Sequence, residues 1–199
     1  LVNFIKEMSF RGSASRFDNT NYPHDSPARL SFVMAKENNK RKEENKQIVK
    51  DFLERLKKYP NLKTIDYKGG ARYEGQLSDS SVKVGIGAYF FPNQDCYLGE
   101  FNRDIFEGTG IYVYQQGDRY QGEVVLGQKS GKGTYYYSNG NYYNGEWKSD
   151  KKHGFGEYYY NKTAEKYVGD WKEGAREGKG KFFYAYGDVY EGEWKQDQK

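Results

Sequence analysis

The stretch Tyr143-Asn144-Gly145-Glu146-Trp147, followed by His153-Gly154-Phe155-Gly156-Glu157-Tyr158, decides the reading of this chain. The same phrase returns upstream as Tyr120-Gln121-Gly122-Glu123-Val124 with Gly131-Lys132-Gly133, and as Tyr97-Leu98-Gly99-Glu100-Phe101 with Gly108-Thr109-Gly110. An earlier copy is Tyr73-Glu74-Gly75-Gln76-Leu77 with Gly85-Ile86-Gly87. Downstream stand Tyr167-Val168-Gly169-Asp170-Trp171 with Gly178-Lys179-Gly180, and a closing half-phrase, Tyr190-Glu191-Gly192-Glu193-Trp194. The leading tyrosines recur every 23 or 24 residues. A fixed period of this size marks a stack of supersecondary units that bury their faces only against one another.

Each unit reads as two short strands. Residues two apart share a strand face, so Tyr143, Gly145 and Trp147 point one way, and Asn144 and Glu146 the other. On the second strand Gly154, Gly156, Tyr158 and Tyr160 share a face. Ser138-Asn139-Gly140, Gln116-Gly117-Asp118, Tyr186-Gly187-Asp188 and Pro92-Asn93 supply turn chemistry between strands. Tyr67 and Gly70 precede Tyr73 by the spacing that separates Tyr137 and Gly140 from Tyr143, so the array starts near residue 63 and ends near 195. Twelve strands follow as a simple antiparallel meander, roughly 55–60 Å across at about 4.8 Å per strand.

One face carries large rings, and the intervening glycines leave hollows in which a neighbouring ring can lie on backbone. The opposite face carries an acid column, Glu100, Glu123, Glu146, Asp170 and Glu193. Neighbours in that column are two strands, roughly 10 Å, apart. This is too far for paired-carboxylate chemistry, and the column reads as a solvated face.

Residues 1–25 read as an extended arm, with room for a short helix at Val2–Met8 and with Phe4, Phe10, Phe17 and Tyr22 as candidate anchors. Ser26-Pro27 opens a helix over 26–60 that Pro60 ends. Its middle, 36–47, is polar all round and reads as solvated or bridging. Its end is not: Ile48, Val49, Phe52, Leu53, Leu56 and Tyr59 recur at steps of three and four as an apolar stripe. The stripe either caps the open end of the array, in which case Phe52 and Leu56 pack near 65–77, or docks on another protein.

Composition narrows the function. The 199 residues hold 21 Tyr, 12 Phe and 24 Gly, the signature of a shallow core built from flat side chains. Cys96, on the outward face, is the only cysteine, which excludes a disulfide framework. The net charge of +4 divides into +5 over residues 1–62 and −1 over 63–199. The repeats therefore offer no broad basic surface for nucleic acid or anionic lipid. No phosphate loop, metal-ligand spacing or nucleophile elbow is present, and His24 and His153 are the only histidines. The sequence thus points to no catalytic residue, no metal, no cofactor and no small-molecule substrate.

Tyr-x-Gly-(Glu/Asp)-aromatic followed by Gly-x-Gly-x-aromatic-x-aromatic, at a 23-residue step, resembles the MORN repeat, over residues 63–195. Gln76 replaces the acid in the first unit, and Ser78–Val84 and Asp104-Ile105-Phe106-Glu107 depart from the usual turn. The resemblance implies a mostly β, elongated, single-layered meander: five full repeats with half-repeats at both ends, preceded by the arm and the helix. It implies a non-catalytic scaffold binding other proteins of a multi-subunit assembly, in the cytoplasm, at a ciliary axoneme or the cytoskeleton. The alternative is a membrane-surface module for phosphoinositides, with Lys151-Lys152 and Lys179/Lys181 as its small clusters. The residues expected to bind protein are Tyr97, Phe101, Tyr120, Tyr143, Trp147, Tyr167, Trp171, Tyr190 and Trp194, with Ile48, Val49, Phe52, Leu53 and Leu56 docking the helix.

Overall fold

The computed structural model describes residues 27–199. The arm of 1–25, its short helix and its aromatic anchors lie outside the described residues. One helix, α1 (Pro27–Leu56), precedes twelve strands. These are β1 (Leu62–Asp66), β2 (Arg72–Leu77), β3 (Lys83–Phe90), β4 (Cys96–Asn102), β5 (Ile105–Val113) and β6 (Arg119–Val125), then β7 (Gln128–Tyr136), β8 (Tyr142–Lys148), β9 (Lys151–Tyr160), β10 (Glu165–Lys172), β11 (Ala175–Phe183) and β12 (Val189–Trp194). The strands form one open sheet in chain order, each antiparallel to the next. The helix is shorter than its sequence signals. The chain beyond Leu56 tightens into three-residue bonds, Lys58 N–H to Arg55 and Tyr59 N–H to Leu56, before Pro60.

Two turn types alternate along the sheet. Hairpin tips at Arg103-Asp104, Leu126-Gly127, Ser149-Asp150, Glu173-Gly174 and Gln196-Asp197 have both residues at positive φ. This is the two-residue turn that matches strand twist, and Asp or Gly tolerates its second position. Arg103-Asp104 therefore turns as the later tips do, despite the unusual Asp104-Ile105-Phe106-Glu107 sequence there. Only Ser78–Val82 builds a longer tip, closed by Ser78 N–H to the Val82 carbonyl. Each two-residue tip latches onto the strand start two strands back, as Asp150 N–H does on the Lys129 carbonyl (3.0 Å).

The acid column does more than face water. Strand pairing slips by a bulge at each unit's Gly-acid-aromatic step, between Gly122 and Val124 for example. The Glu123 carboxylate accepts the Lys132 N–H across that opening (2.9 Å). Asp170 does so for Lys179 (3.0 Å), Glu146 for Phe155 (3.4 Å) and the uncharged Gln76 for Ile86 (3.0 Å). These exposed side chains replace backbone bonds that the bulge removes.

The helix lands elsewhere than on the array's end. Phe52 and Leu56 are buried with Ile86, Ala88, Cys96, Leu98, Ile111 and Val113, and Ile48, Val49 and Leu53 pack around them. The expected contact at 65–77 is corrected: α1 lies across β3–β5, on the face opposite the rings. The reason is local. Outward positions that are Lys132, Thr134 and Asn144 in later strands are Ile86, Ala88 and Leu98 here, so the early sheet has a second apolar face to cover. The stripe is satisfied within its own chain. The helix middle docks too, against expectation. Asn45, 3% exposed, donates to the Gly117 carbonyl (3.0 Å) and accepts from Arg119 (3.1 Å). The Arg119 guanidinium stacks 4.4 Å from the Tyr136 ring centre, and Arg41 approaches the same ring.

Candidate functional site

The face opposite α1 is built in two tiers. The lower tier consists of the first-strand rings. Tyr97, Tyr120, Tyr143 and Tyr167 have no exposed surface, and Phe101, Trp147, Trp171 and Trp194 are nearly as buried. Each leading tyrosine lies on glycines of its own and the next strand. Its hydroxyl donates to the carbonyl three residues on: Tyr97 to Glu100 (3.0 Å), Tyr143 to Glu146 (2.9 Å) and Tyr190 to Glu193 (3.1 Å). Each tryptophan N–H reaches back to a glycine carbonyl, Trp147 to Gly133 (3.0 Å) and Trp171 to Gly156 (3.2 Å). Edge-on contacts knit the tier, with Tyr143 lying 5.1 Å from both Trp147 and Trp171. Eight of the nine residues expected to bind protein are therefore floor, and only Tyr190 is half-buried.

The upper tier comes from the aromatic-x-aromatic pairs that follow each Gly-x-Gly. With Tyr67, Phe106 and Tyr186, which lie outside those pairs, their rings form an unbroken ladder from Tyr67 through Tyr89, Phe91, Phe106, Tyr112, Tyr114, Tyr135, Tyr137, Tyr158, Tyr160, Phe182 and Tyr184 to Tyr186. Successive centres are 4.6 to 6.2 Å apart. All but Phe182 keep part of their surface in solvent, and Tyr186 is 74% exposed. A recess of about 380 Å³ opens beside the ladder, lined by Phe91, Tyr112, Tyr114, Lys129 and Asp150. The signal for this tier was the Tyr-x-Tyr spacing itself, at 112 and 114, 135 and 137, and 158 and 160.

Cations sit along one margin of the rings. Lys129 lies 5.8 Å from the Trp147 centre, Lys152 4.2 Å from Trp171 and Arg176 4.3 Å from Trp194. Burial raises the phenol pKa of Tyr114 and Tyr167 to about 12. Both are thus neutral surfaces at physiological pH. Cys96 lies beneath α1, and burial pushes its thiol up to about 12, the reverse of what a nucleophile needs. Among the described residues no group of His, Cys, Asp and Glu is placed to hold a metal, and no helix is long and apolar enough to cross a membrane.

No curated protein matches this chain. A solved structure similar to it is the TCP domain of SAS-4 (dCPAP) from Drosophila melanogaster, in complex with a proline-rich motif of Ana2 (dSTIL). The two are 15% identical, the match covers 67% of this chain and 79% of that one, and the TM-score is 0.38, too distant to bear on function. The MORN repeat model matches residues 97–119, 120–142, 143–163, 167–189 and 190–199, together just over half of the chain. With the repeat spacing and the continuous meander, this chain belongs to the MORN-repeat family.

Proposed function

We propose that this chain is a non-catalytic scaffold whose aromatic face binds other proteins in a large cytoplasmic assembly, at a ciliary axoneme or the cytoskeleton. The unbroken ladder from Tyr67 to Tyr186 carries the reading. Half-buried tyrosines fixed on a sheet offer apolar area and a hydroxyl at little entropic cost, which is how binding anchors are made. The floor beneath them is saturated by internal hydrogen bonds, so the ladder presents a rigid surface. The cellular setting rests on the resemblance to axonemal and cytoskeletal repeat proteins.

Binding of anionic lipid is the weaker reading. Lys83, Lys129 and Arg176 on this face are each paired with an aspartate, at 2.7, 2.8 and 2.9 Å. Little unpaired positive charge is left for headgroups. Affinity capture from the native source tests the proposal, using the full chain and its Tyr137→Ser/Tyr160→Ser variant. Partners retained by the parent and lost from the folded variant support it. Salt-sensitive pelleting with phosphoinositide vesicles, without protein partners, contradicts it.

A further inference from the structure

The margin of the aromatic face carries a pattern that is broken twice: at Phe106 and its tip Gly127, where cation and aspartate are both replaced, and at Lys152, where only the aspartate is. The strand-start cations Lys83, Lys129 and Arg176 each meet the aspartate of the adjoining hairpin tip, Asp104, Asp150 and Asp197. Lys152 holds the same position in its unit. Its tip residue is Gly174, whose N–H still bonds the Lys152 carbonyl (2.9 Å) but which has no carboxylate. A Cβ added at Gly174 would meet nothing within 4 Å, so the place that aspartate fills elsewhere is open. The neighbouring Glu173 is taken by Lys151 (2.6 Å). Among the described residues no carboxylate pairs with Lys152. Its ammonium rests instead on Trp171, Tyr158 and Tyr143, 4.2, 4.9 and 5.7 Å from the ring centres.

We propose that Lys152 and the open tip at Gly174 form a carboxylate seat, taking an aspartate or glutamate side chain from an acidic segment of a partner protein. The proposal rests on the reading of the aromatic face as a protein interface, and it names the chemistry recognised there. The seat has the parts of its three filled counterparts: a cation held by rings, a tip latched by its backbone, and space between. Only the anion is missing from the chain. Tyr158 of the ladder is one of the rings under the ammonium, with Tyr160 beside it (4.6 Å), so a docked segment meets rings and cation together. The ammonium is held down to about 8, chiefly by burial and further by Arg176, against the pull of Asp197. An incoming carboxylate relieves that state, as charge complementarity requires.

The full chain is tested against arrayed peptides randomised around a central aspartate, matched peptides with central asparagine, and vesicles containing phosphatidylinositol bisphosphate. Aspartate peptides are expected to bind about tenfold more tightly than asparagine peptides, the scale of one charge-assisted bond. Lys152→Met abolishes that preference while filling the ring-lined space. Gly174→Asp abolishes it differently, by supplying the carboxylate in cis at a turn position where this chain uses aspartate three times. In Gly174→Asp the Lys152 pKa, read from its ε-methylene carbon shift, moves from about 8 toward the ordinary 10.5. An unchanged Lys152 pKa, or an aspartate preference that survives Gly174→Asp, overturns the seat. Equal binding of both peptide sets overturns the seat and leaves the interface standing. Binding of neither set overturns both, and capture of the vesicles alone overturns the protein partner.

Discussion

Tyr143 lies on Gly156 so closely that a Cβ there would stand 2.5 Å from the tyrosine hydroxyl oxygen. The same relation joins Tyr97 to Gly110, Tyr120 to Gly133 and Tyr167 to Gly180. The glycine is the socket of the ring, and the repeat is in essence one ring in one socket. Gly156→Ala is expected to cost about 1–3 kcal/mol by overpacking. Gly69→Ala, whose Cβ meets nothing within 4 Å, stays within about 0.5 kcal/mol. Denaturant melts of the two variants measure the contrast.

The bulge carboxylates act as hydrogen-bond acceptors, so their charge is dispensable. Glu123→Gln is expected to keep the stability of the parent, because Gln76 performs the same task at the first bulge (3.0 Å to Ile86 N–H). Glu123→Ala loses the bond to Lys132 and about 0.5–1.5 kcal/mol. Faster hydrogen exchange at the Lys132 amide in the alanine variant alone marks the mechanism.

Cys96 reports on the docking of α1. It is 4% exposed beneath Phe52 and Leu56, and burial holds its thiol protonated. Phe52→Ala removes the ring that covers it, at about 3–5 kcal/mol. Asn45→Ala leaves the Gly117 carbonyl and Arg119 short of a buried partner, at about 1–3 kcal/mol. Both are expected to speed thiol–disulfide exchange of Cys96 with an aromatic disulfide reagent at pH 8, read by the thiolate that leaves, while β7–β12 keep their exchange protection.

The ring tiers make the fold sensitive to alkali. Burial raises the phenol pKa of Tyr73, Tyr97, Tyr120, Tyr135, Tyr137 and Tyr143 above the ordinary 10.0. A raised folded-state pKa means that the unfolded chain gives up its protons first. The stability these phenols contribute is complete below about pH 10 and falls as pH rises beyond it. Lys152, depressed to about 8, acts oppositely and adds a small gain between pH 8 and 10.5. Tyrosinate absorbance near 295 nm is expected to rise together with loss of the sheet, in one steep step above pH 10.

The sheet was legible because its information is repeated: six tyrosines at one period and a glycine two residues after each. The landing place of α1 was not, because it is written once. Ile86, Ala88, Leu98 and Ile111 stand at outward positions that later units fill mostly with polar residues, Phe155 and Val168 excepted, a difference seen only when equivalent positions are compared. Asn45 was illegible for another reason. A single asparagine within a polar run carries no periodic signal, and its role exists only through Gly117 and Arg119, more than 70 residues away. The residues expected to bind protein are buried, and the proposed face lies one tier above them. The strongest motif, Tyr-x-Gly-acid-Trp, marks the residues that hold the structure together, and the weaker Tyr-x-Tyr marks the surface.

Site-specific photo-crosslinking tests the central claim most directly. Benzoylphenylalanine is placed at Tyr137 on the ladder or at Tyr159, which stacks on Tyr142 across the sheet on the opposite face (5.3 Å), in cells that make the chain. Protein adducts from the Tyr137 position, and none from Tyr159, are the result the account requires. Adducts from Tyr159 alone, or lipid in place of protein at Tyr137, would contradict it.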